Sequence, residues 1–272
     1  MEDIAIFGRK TFFIAPDAAL LPEVYLEAFL ARGYECYIVN SDSQCSLKKK
    51  VSDIIALYPG AILVFNVDSH AEGILWQTYI QDLQRQHGGS EVIAVTHAHV
   101  SDADDAAQAS TYRQLGIAGG TVPLGADGAR NLMALSNLLF QNGACGRRTM
   151  VRAPCDEAST LSFTHRGRQF NARILDVNMH YFACDLAGNS VDLDIYNRLQ
   201  GASLVVNGMS FQADLVLIMR GMRRGVNLYV FMFTKEDGTP ELAQPLQQQL
   251  SRKVYQMVTT KGKEEMRRAW SR

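Results

Sequence analysis

Residues 146–184 read GRRTMVRAPCDEASTLSFTHRGRQFNARILDVNMHYFAC, and this stretch decides the fold of the second half of the chain. It opens with a cluster of arginines, at Arg147, Arg148 and Arg152. Two runs with strand character follow, at 160–164 and 169–176, joined by a His-Arg-Gly-Arg tetrapeptide. The glycine in that tetrapeptide can supply the positive φ of a tight turn. The stretch therefore predicts a cationic segment that leads into an antiparallel sheet.

Downstream of this stretch, short apolar runs alternate with turn signals. The runs are 203–206, 211–219 and 226–233, interrupted by Asn207-Gly208 and by residues 221–225. Asn-Gly between two apolar runs is a strong hairpin signal. Short strands at this spacing predict a small antiparallel barrel, which leaves no exposed sheet edge.

The end of the chain is predicted to be one long helix, over about residues 241–270. Thr239 is a suitable N-cap, and Pro240 suits the first helical position. An apolar stripe along the helix, formed by Leu246, Leu250, Val254 and Met257, predicts packing against the barrel.

The first 141 residues follow a different pattern, in which apolar strands alternate with amphipathic helices. The predicted strands are 10–16, 35–40, 61–67, 91–96 and 118–122. The predicted helices are 20–32, 47–57, 75–86, 105–114 and 126–141. Continuous apolar strands separated by helices indicate a parallel sheet covered on both faces. The prediction is thus an α/β domain of flavodoxin-like type followed by a β domain.

The change of pattern also predicts the domain boundaries. Residues 142–146, Asn-Gly-Ala-Cys-Gly, end the last helix of the first domain and are predicted to be a linker. The predicted division is a first domain over 1–141, the linker over 142–146, and a barrel domain with its helix over 147–272.

Composition limits the functions open to the chain. With 47% hydrophobic residues and a net charge of −1, it can fill a core and shows no overall preference for nucleic acid or anionic membranes. Any anion site must be local. The five cysteines lack metal or redox spacing and fit reduced thiols, so a cytoplasmic protein is expected. No apolar stretch reaches the roughly 18 residues of a membrane span.

The arginine cluster and the run that ends in Asp176 resemble the PilZ domain, the bacterial receptor module for cyclic di-GMP. That family carries R-x-x-x-R and, a strand or two later, [D/N]-x-S-x-x-G. Arg148 and Arg152 match the first motif, and Asp176 begins the second. Asn178 replaces the serine and Tyr181 replaces the glycine.

The resemblance implies a non-enzymatic signalling effector that binds cyclic di-GMP and changes interdomain or partner contacts. The implied ligand-binding residues are Arg147, Arg148, Arg152, Asp176, Asn178 and Tyr181. No cofactor and no metal are implied. The expected partners are the nucleotide and an unknown protein of the motility, chemotaxis or envelope machinery, with no nucleic acid and no membrane span.

Several alternatives remain open at this point. The arginines can be ordinary surface charges at a domain junction, and the barrel can be a degenerate PilZ module that docks a protein and has lost the ligand. Tyr181 can either obstruct a guanine site or stack on the base. An enzyme is the remaining alternative, although no nucleophile–base pair, phosphate loop or zinc spacing indicates catalysis.

The first domain resembles the receiver domain of response regulators, but without its chemistry. Asn66 stands where the phospho-accepting aspartate is expected, and only Asp17 follows the first strand as a Mg²⁺ ligand. Thr96 is kept, whereas Val122-Pro123 replaces a Lys-Pro pair. The resemblance therefore implies a pseudoreceiver, with Asp68 as the alternative acceptor.

His97 and His99 follow the fourth strand, with Asp102, Asp104 and Asp105 close behind. These residue types are good metal ligands. A solvated loop at the carboxyl edge of the sheet explains the same residues, and this loop interpretation is preferred.

Overall fold

The computed structural model describes residues 2–87, 91–99, 101–117, 119–186, 191–223 and 226–271. Contacts divide the chain into two compact units. The first contains residues 1–151 and 261–272, and the second contains residues 152–260. The sequence-based boundaries lay at 142–146 and placed the whole C-terminal helix with the barrel, so the two divisions differ at both ends of the second unit.

The first unit is built on a parallel sheet of five strands in the order β2-β1-β3-β4-β5. These strands are β1 (Thr11–Ile14), β2 (Cys36–Val39), β3 (Ile62–Asn66), β4 (Glu91–His97) and β5 (Thr121–Leu124). The order is that of flavodoxin-like folds, in which the switch point lies between the first and third strands. The predicted fold class is therefore confirmed. Ala118, the first residue of the predicted fifth strand, lies outside the described residues.

Six helices accompany these strands in the described part of the first unit. They are α1 (Glu2–Phe7), α2 (Val24–Ala31), α3 (Leu47–Leu57), α4 (Trp76–Gln86), α5 (Asp102–Gln114) and α6 (Gly128–Gln141). A single 3-10 turn covers Ala71–Gly73. Helix α1 was not predicted from the sequence. Helix α2 begins four residues later than predicted, because the amides of Leu20 and Leu21 donate to the Asp17 carbonyl in a preceding turn.

The core of the first unit includes the far end of the chain. Met266 is buried in the same hydrophobic cluster as Phe12, Leu63 and Phe65, and Trp270 packs against that cluster. The Tyr58 hydroxyl donates to the Glu265 carboxylate at 2.7 Å. The last residues of the chain thus complete the α/β unit, which the sequence pattern did not indicate.

The predicted linker is hydrogen-bonded within the first unit. Gly143 has φ +78° and ends α6, as predicted. The next residues are held by backbone bonds, from Arg9 to the Gly143 carbonyl and from Arg147 to the Ala5 carbonyl. A Cβ on Gly146 would overlap the backbone of Ile6 and Gly8, so this glycine permits a close approach of two chain segments.

The second unit is an antiparallel barrel. Its strands are β6 (Ala153–Pro154), β7 (Thr160–His165), β8 (Arg168–Val177), β9 (Tyr181–Asp185), β10 (Arg198–Val206), β11 (Met209–Arg223) and β12 (Val226–Thr234). They follow the order β6-β8-β7-β10-β11-β12-β9, and β8 also pairs with β9. That last pairing closes six strands into a ring, with β6 added outside on β8. The predicted barrel is confirmed.

Alternation along the strands explains why this segment closes around a core. Every second side chain points inward and is buried, among them Leu161, Ile174, Phe182, Leu204, Leu215, Phe231 and Phe233. The predicted Asn207-Gly208 hairpin has positive φ at both residues, as a tight two-residue connection requires. The predicted break over 221–225 is shorter than expected, because β11 continues to Arg223. The last two residues of that predicted break, 224 and 225, lie outside the described residues.

The last helix, α7 (Gln244–Trp270), begins three residues later than predicted. Thr239 is not its N-cap, because the Thr239 carbonyl accepts from the amides of Lys235 and Glu241 in a separate turn. The Asp237 carboxylate accepts from the Thr239 amide at 2.8 Å and fixes that turn. Pro245 lies in the first turn of α7 instead, where a missing N–H costs nothing.

Among the described helices, none is long and apolar enough to cross a membrane.

Candidate functional site

Arg152 and Asp176 form the centre of the candidate site, on the outer surface of the barrel. Strand β6 pairs with β8, so that Pro154 lies opposite Asp176 and Ala153 lies opposite Val177. This pairing holds Arg152 beside the end of β8. Arg152 Nη1 donates to Asp176 Oδ1 at 3.2 Å, with about 30% and 25% of the two side chains exposed. The sequence proposed both residues for the ligand, and the structure brings them together.

Asp176 lies on the outer side of β8, with about 25% of its side chain exposed. Val177 is fully buried and pairs with Phe182, while Asp176 pairs with Ala183. The pairing is irregular at Leu175, whose carbonyl accepts instead from the amide of Cys155. A bulge of this kind re-aims the next side chain, and here it leaves the Asp176 carboxylate on the surface.

Asn178 organises the turn between β8 and β9. The side-chain Oδ1 of Asn178 accepts from the backbone amides of His180 and Tyr181, at 2.8 and 2.7 Å. The backbone amide of Asn178 donates to the Tyr181 carbonyl at 2.8 Å. The residue is only 4% exposed. Asparagine favours such turns because its side chain can replace a backbone acceptor. The Asn178 side chain therefore shapes the site and is not displayed on its surface.

Tyr181 lies on the same outer surface as Asp176. It is the first residue of β9, two residues before Ala183, and Ala183 is the partner of Asp176 across the sheet. Diagonal neighbours of this kind are roughly 7–8 Å apart, within reach of a tyrosine ring. The position has extended backbone, so it does not require glycine. The centres of the His180 and Tyr181 rings are 6.1 Å apart. His180 lies inside the quoted stretch, but it is not among the residues proposed from the motifs.

Arg147 and Arg148 belong to the first unit, not to the barrel. Their backbone amides donate to the carbonyls of Ala5 and Ile6. Arg147 is exposed, and the Arg148 guanidinium lies 4.7 Å from the centre of the Phe7 ring, a cation–π distance. The R-x-x-x-R motif thus spans the boundary between the units. Phe7 was missed by sequence reasoning, since α1 itself was not predicted.

The barrel residues present hydrogen-bonding groups suited to an anion with a nucleobase. A guanidinium carries five N–H donors in a planar fork, and the contact with Asp176 occupies one of them. A carboxylate accepts several N–H groups. Burial, and then the charge of Asp176, raises the pKa of the nearby Cys155 thiol to about 12, which favours the protonated thiol at neutral pH.

The carboxyl edge of the parallel sheet is the second candidate region, and there the side chain of His97 contacts the carboxylates of Asp17 and Asp68. The His97 amide donates to Asp68 Oδ2 at 2.6 Å, and the ring Nδ1 lies 3.1 Å from the same atom. Nε2 of the ring lies 3.5 Å from Asp17 Oδ2. Asn66 is the last residue of β3 and is buried, with its Oδ1 accepting from the Asp68 amide. The strand end thus carries an amide, as the sequence alignment placed it.

Two further residues at this edge were singled out from the sequence. The Thr96 hydroxyl is buried and has no hydrogen-bond partner in the part of the chain that the structure describes. His99 bonds to Asp105 by its amide at 2.9 Å and by its ring at 2.8 Å, and the amide bond lowers the pKa of Asp105. His97 and His99 thus contact different carboxylates. No group of three or more His, Cys, Asp or Glu suited to a metal occurs among the described residues.

Solved structures with partial similarity to this chain include two from Escherichia coli. YcgR in complex with c-di-GMP matches with a TM-score of 0.38 and 16% identity, over 46% of this chain and 51% of that one. The PilZ domain of YcgR with c-di-GMP matches with a TM-score of 0.37 and 15% identity, over 44% of this chain and 96% of that one.

A third similar structure is the MrkH–c-di-GMP complex of K. pneumonia, with a TM-score of 0.38 and 14% identity, over 45% of this chain and 59% of that one. The chain therefore spans only about half the length of the full YcgR and MrkH chains. No family model and no curated protein sequence matches the chain.

Proposed function

We propose that this chain is a non-enzymatic signalling effector that binds cyclic di-GMP on the outer surface of the barrel. The observation that supports this most strongly is the Arg152–Asp176 pair, held by β6 at the end of β8 and next to the outward-facing Tyr181. These three residues offer a cationic fork, a carboxylate and an aromatic ring on one surface.

The chemistry of the ligand fits these groups. Cyclic di-GMP carries two phosphates and two guanines, whose O6 and N7 atoms accept from an arginine fork. Asp176 accepts the N–H groups of a guanine once Arg152 turns to the ligand. Opening the ion pair costs little, because a partly exposed pair is worth about 0–1 kcal/mol. Tyr181 stacks on a base.

Arg147 and Arg148 supply further positive charge in this proposal. Binding a ligand through Arg148 in place of the Phe7 ring loses a cation–π contact, which is worth roughly 0.5–1 kcal/mol at an exposed site. Charge-assisted hydrogen bonds to phosphate offset that loss. Drawing the segment 147–152 to the ligand changes its contacts with the rest of the chain or with a protein partner, and this shift of population is the signal.

Isothermal titration of the full chain with cyclic di-GMP, with GTP as the control ligand, tests the proposal. Arg152→Ala removes a charge-assisted partner worth about 1.5–3 kcal/mol, so the Kd should rise by one to two powers of ten. Arg148→Ala should act in the same direction. Arg152→Lys should recover only part of the affinity, because lysine keeps the charge but not the fork.

The barrel offers a matched control for these variants. Arg166 forms a surface ion pair with Asp192 at 2.9 Å and lies on the turn between β7 and β8, at the opposite end of β8 from Asp176. Arg166→Ala should leave the Kd unchanged. Equal weakening by Arg166→Ala and Arg152→Ala would mean that general charge, and no specific site, attracts the nucleotide.

A protein-docking barrel without nucleotide is the second candidate function. It is favoured by Asn178, whose side chain is used up in the turn, and by Arg152, whose charge Asp176 already balances. Tyr181→Gly separates the candidates further. If the ring stacks on guanine, Gly weakens binding, and if the ring obstructs the site, Gly strengthens it. No heat at high micromolar nucleotide, with none restored by Tyr181→Gly, would favour docking through the surface around Arg152.

A further inference from the structure

Strand β11 extends beyond its neighbour β10 in the barrel. The pairing of β11 with β10 ends at Val216, whereas its pairing with β12 continues to Arg223. A residue of the loop before β10, Tyr196, donates its amide to the Leu217 carbonyl. In the part of the chain that the structure describes, no segment other than β12 hydrogen-bonds the backbone of residues 218–223. We call the open side of the strand over these residues the β11 edge.

The register of the hairpin determines which backbone groups the β11 edge presents. Arg223 pairs with Val226 across two intervening residues, and a pair so close in the chain is one whose N–H and C=O groups bond each other. Because hydrogen-bonded and non-bonded pairs alternate along an antiparallel ladder, Met222 and Arg220 direct their backbone N–H and C=O groups away from β12. Unpaired groups at every second residue of an edge are a template for a further strand.

The exposed apolar side chains of the barrel unit belong to the β11 edge and to the loop beside it. Among the described barrel residues, four large hydrophobic side chains are exposed, with accessible fractions from 46% to 78%: Ile195, Tyr196, Met219 and Met222. The two methionines lie on the edge, and the other two lie in the loop that bonds Leu217. Apolar groups gathered at one place on a surface mark an interaction site, and methionine adapts to irregular partners.

The β11 edge is also cationic. Arg220 is exposed, and the sequence places Arg223 and Arg224 directly after the edge residue Met222. The ion pairs among the described barrel residues use other cations, which are Arg152, Arg166, Arg198 and Lys235. A second copy of this edge would bring like charges together, which is unfavourable between neighbouring strands. The charge therefore favours a partner strand that carries carboxylates.

We propose that the β11 edge binds an extended acidic segment of a partner protein by β-strand addition. The added strand continues the course of β10 and bonds the outward backbone groups of Arg220 and Met222. It places a carboxylate beside the Arg220 guanidinium and packs apolar side chains against the exposed methionines. The site contains none of the residues proposed for the nucleotide, so it does not depend on that proposal.

Panning a phage-displayed library of random dodecapeptides against the full chain tests this proposal without assuming the partner's sequence. Enriched peptides should be rich in Asp, Glu and β-branched residues and poor in proline. As synthetic peptides, they should shift the amide signals of Arg220 and Met222 in the ¹⁵N-labelled full chain. Failure to enrich any peptide, enrichment without acidic character, or binding that leaves these two amides unshifted would overturn the proposal.

Two changes at Met222 separate the backbone from the side chain. Met222→Pro removes the outward N–H and keeps the bonds between β11 and β12, because proline is tolerated where the N–H faces away from the ladder. It should weaken binding of the selected peptide about two- to tenfold. Met222→Leu keeps the N–H and an apolar side chain, and should leave the Kd nearly unchanged. An unchanged Kd in Met222→Pro would show that no strand is added at this edge.

Arg220→Glu tests the charge and leaves every backbone donor in place. The reversal should weaken binding of the selected peptide about fivefold at low salt, and lysine in place of the peptide's acidic residues should restore binding to this variant. Arg252→Glu, at an exposed arginine of α7 in the same unit, is the control and should leave the Kd unchanged. Equal weakening by the two reversals would mean that general charge attracts the peptide and that the β11 edge is not its site.

Discussion

Two cations, one in each unit, differ in how fully their partners enclose them. In the first, the buried Lys50 contacts Asp42, the Asn40 carbonyl and the Trp270 ring. In the second, Arg152 makes a single contact with one carboxylate on a partly open surface. Charge that is enclosed by its partners serves stability, and charge that keeps donors at the surface can serve a ligand. The two kinds of site should therefore respond differently to mutation.

The largest effect is expected where the first unit closes on the end of the chain. Gly262 lies inside α7, where alanine would normally be favoured by about 1 kcal/mol. A Cβ here would overlap the Tyr37 ring, which is buried and cannot move away. Overpacking of this kind costs about 1–3 kcal/mol or more, so Gly262→Ala should destabilise the chain in urea unfolding.

Gly221→Ala is the control for that variant, since a Cβ at Gly221 meets nothing within 4 Å. It should leave the unfolding midpoint nearly unchanged. If Gly262→Ala were as harmless as Gly221→Ala, the end of α7 would not be part of the first unit, and the contrast between the units would need revision.

A smaller effect on stability is expected from Lys50→Met. The variant keeps the bulk of the side chain but leaves the Asn40 carbonyl without its 2.7 Å donor, at a cost of about 1–3 kcal/mol. Cyclic di-GMP binding should not change, in contrast to Arg152→Ala. A loss of nucleotide affinity in Lys50→Met at full folding would contradict the separation of stabilising from ligand-binding charge.

The same pair predicts a pH dependence. The hydrogen bond from Lys50, followed by backbone amides, lowers the pKa of Asp42 to about 2. A carboxyl with a folded pKa below its unfolded value of about 3.9 stabilises the fold above that unfolded value, and this contribution is lost as the pH falls through about 2. Carboxyl NMR titration should show the low pKa in the wild type and a value nearer 3.9 in Lys50→Met. An unshifted Asp42 in the wild type would exclude the pairing.

No chemical change is expected at the carboxyl edge of the sheet. Asn66 cannot accept a phosphoryl group, and Asp68 is bonded to the amide and ring of His97. Incubation with acetyl phosphate and Mg²⁺ should give no phosphoryl adduct by intact-mass measurement. A stoichiometric adduct that disappears in Asp68→Asn would show that this edge is a working receiver site.

The fold was predictable from the sequence because it depends on local patterns. Alternating strands and helices, and then Asn-Gly between apolar runs, are periodic signals that tertiary contacts here reinforce. The packing of the chain end on the α/β unit was not predictable. Met266 and Trp270 carry no signal that distinguishes packing on the barrel from packing on the α/β unit, and Gly146 looks the same in a linker as in a close backbone contact. The predicted domain boundaries stay a prediction, which limited proteolysis can test.

The candidate site was predictable in its residues and not in their arrangement. The motif named Arg152 and Asp176, but their contact depends on the two-residue strand β6, which is too short to leave a pattern in the sequence. The position of Asn178 inside the turn depends on its burial. The family motif has a glycine at the position of Tyr181, so the tyrosine appeared incompatible with the site. The backbone at this position is extended, however, and accepts any residue.

Amide NMR of the full chain with cyclic di-GMP tests the central claim most directly, because it reports on both regions at once. We expect shifts at Arg152, Asp176 and Tyr181, with the amides of Asp68 and His97 unchanged. Shifts confined to the carboxyl edge of the parallel sheet, or no shifts at either place, would contradict the proposal that this barrel surface is the nucleotide site.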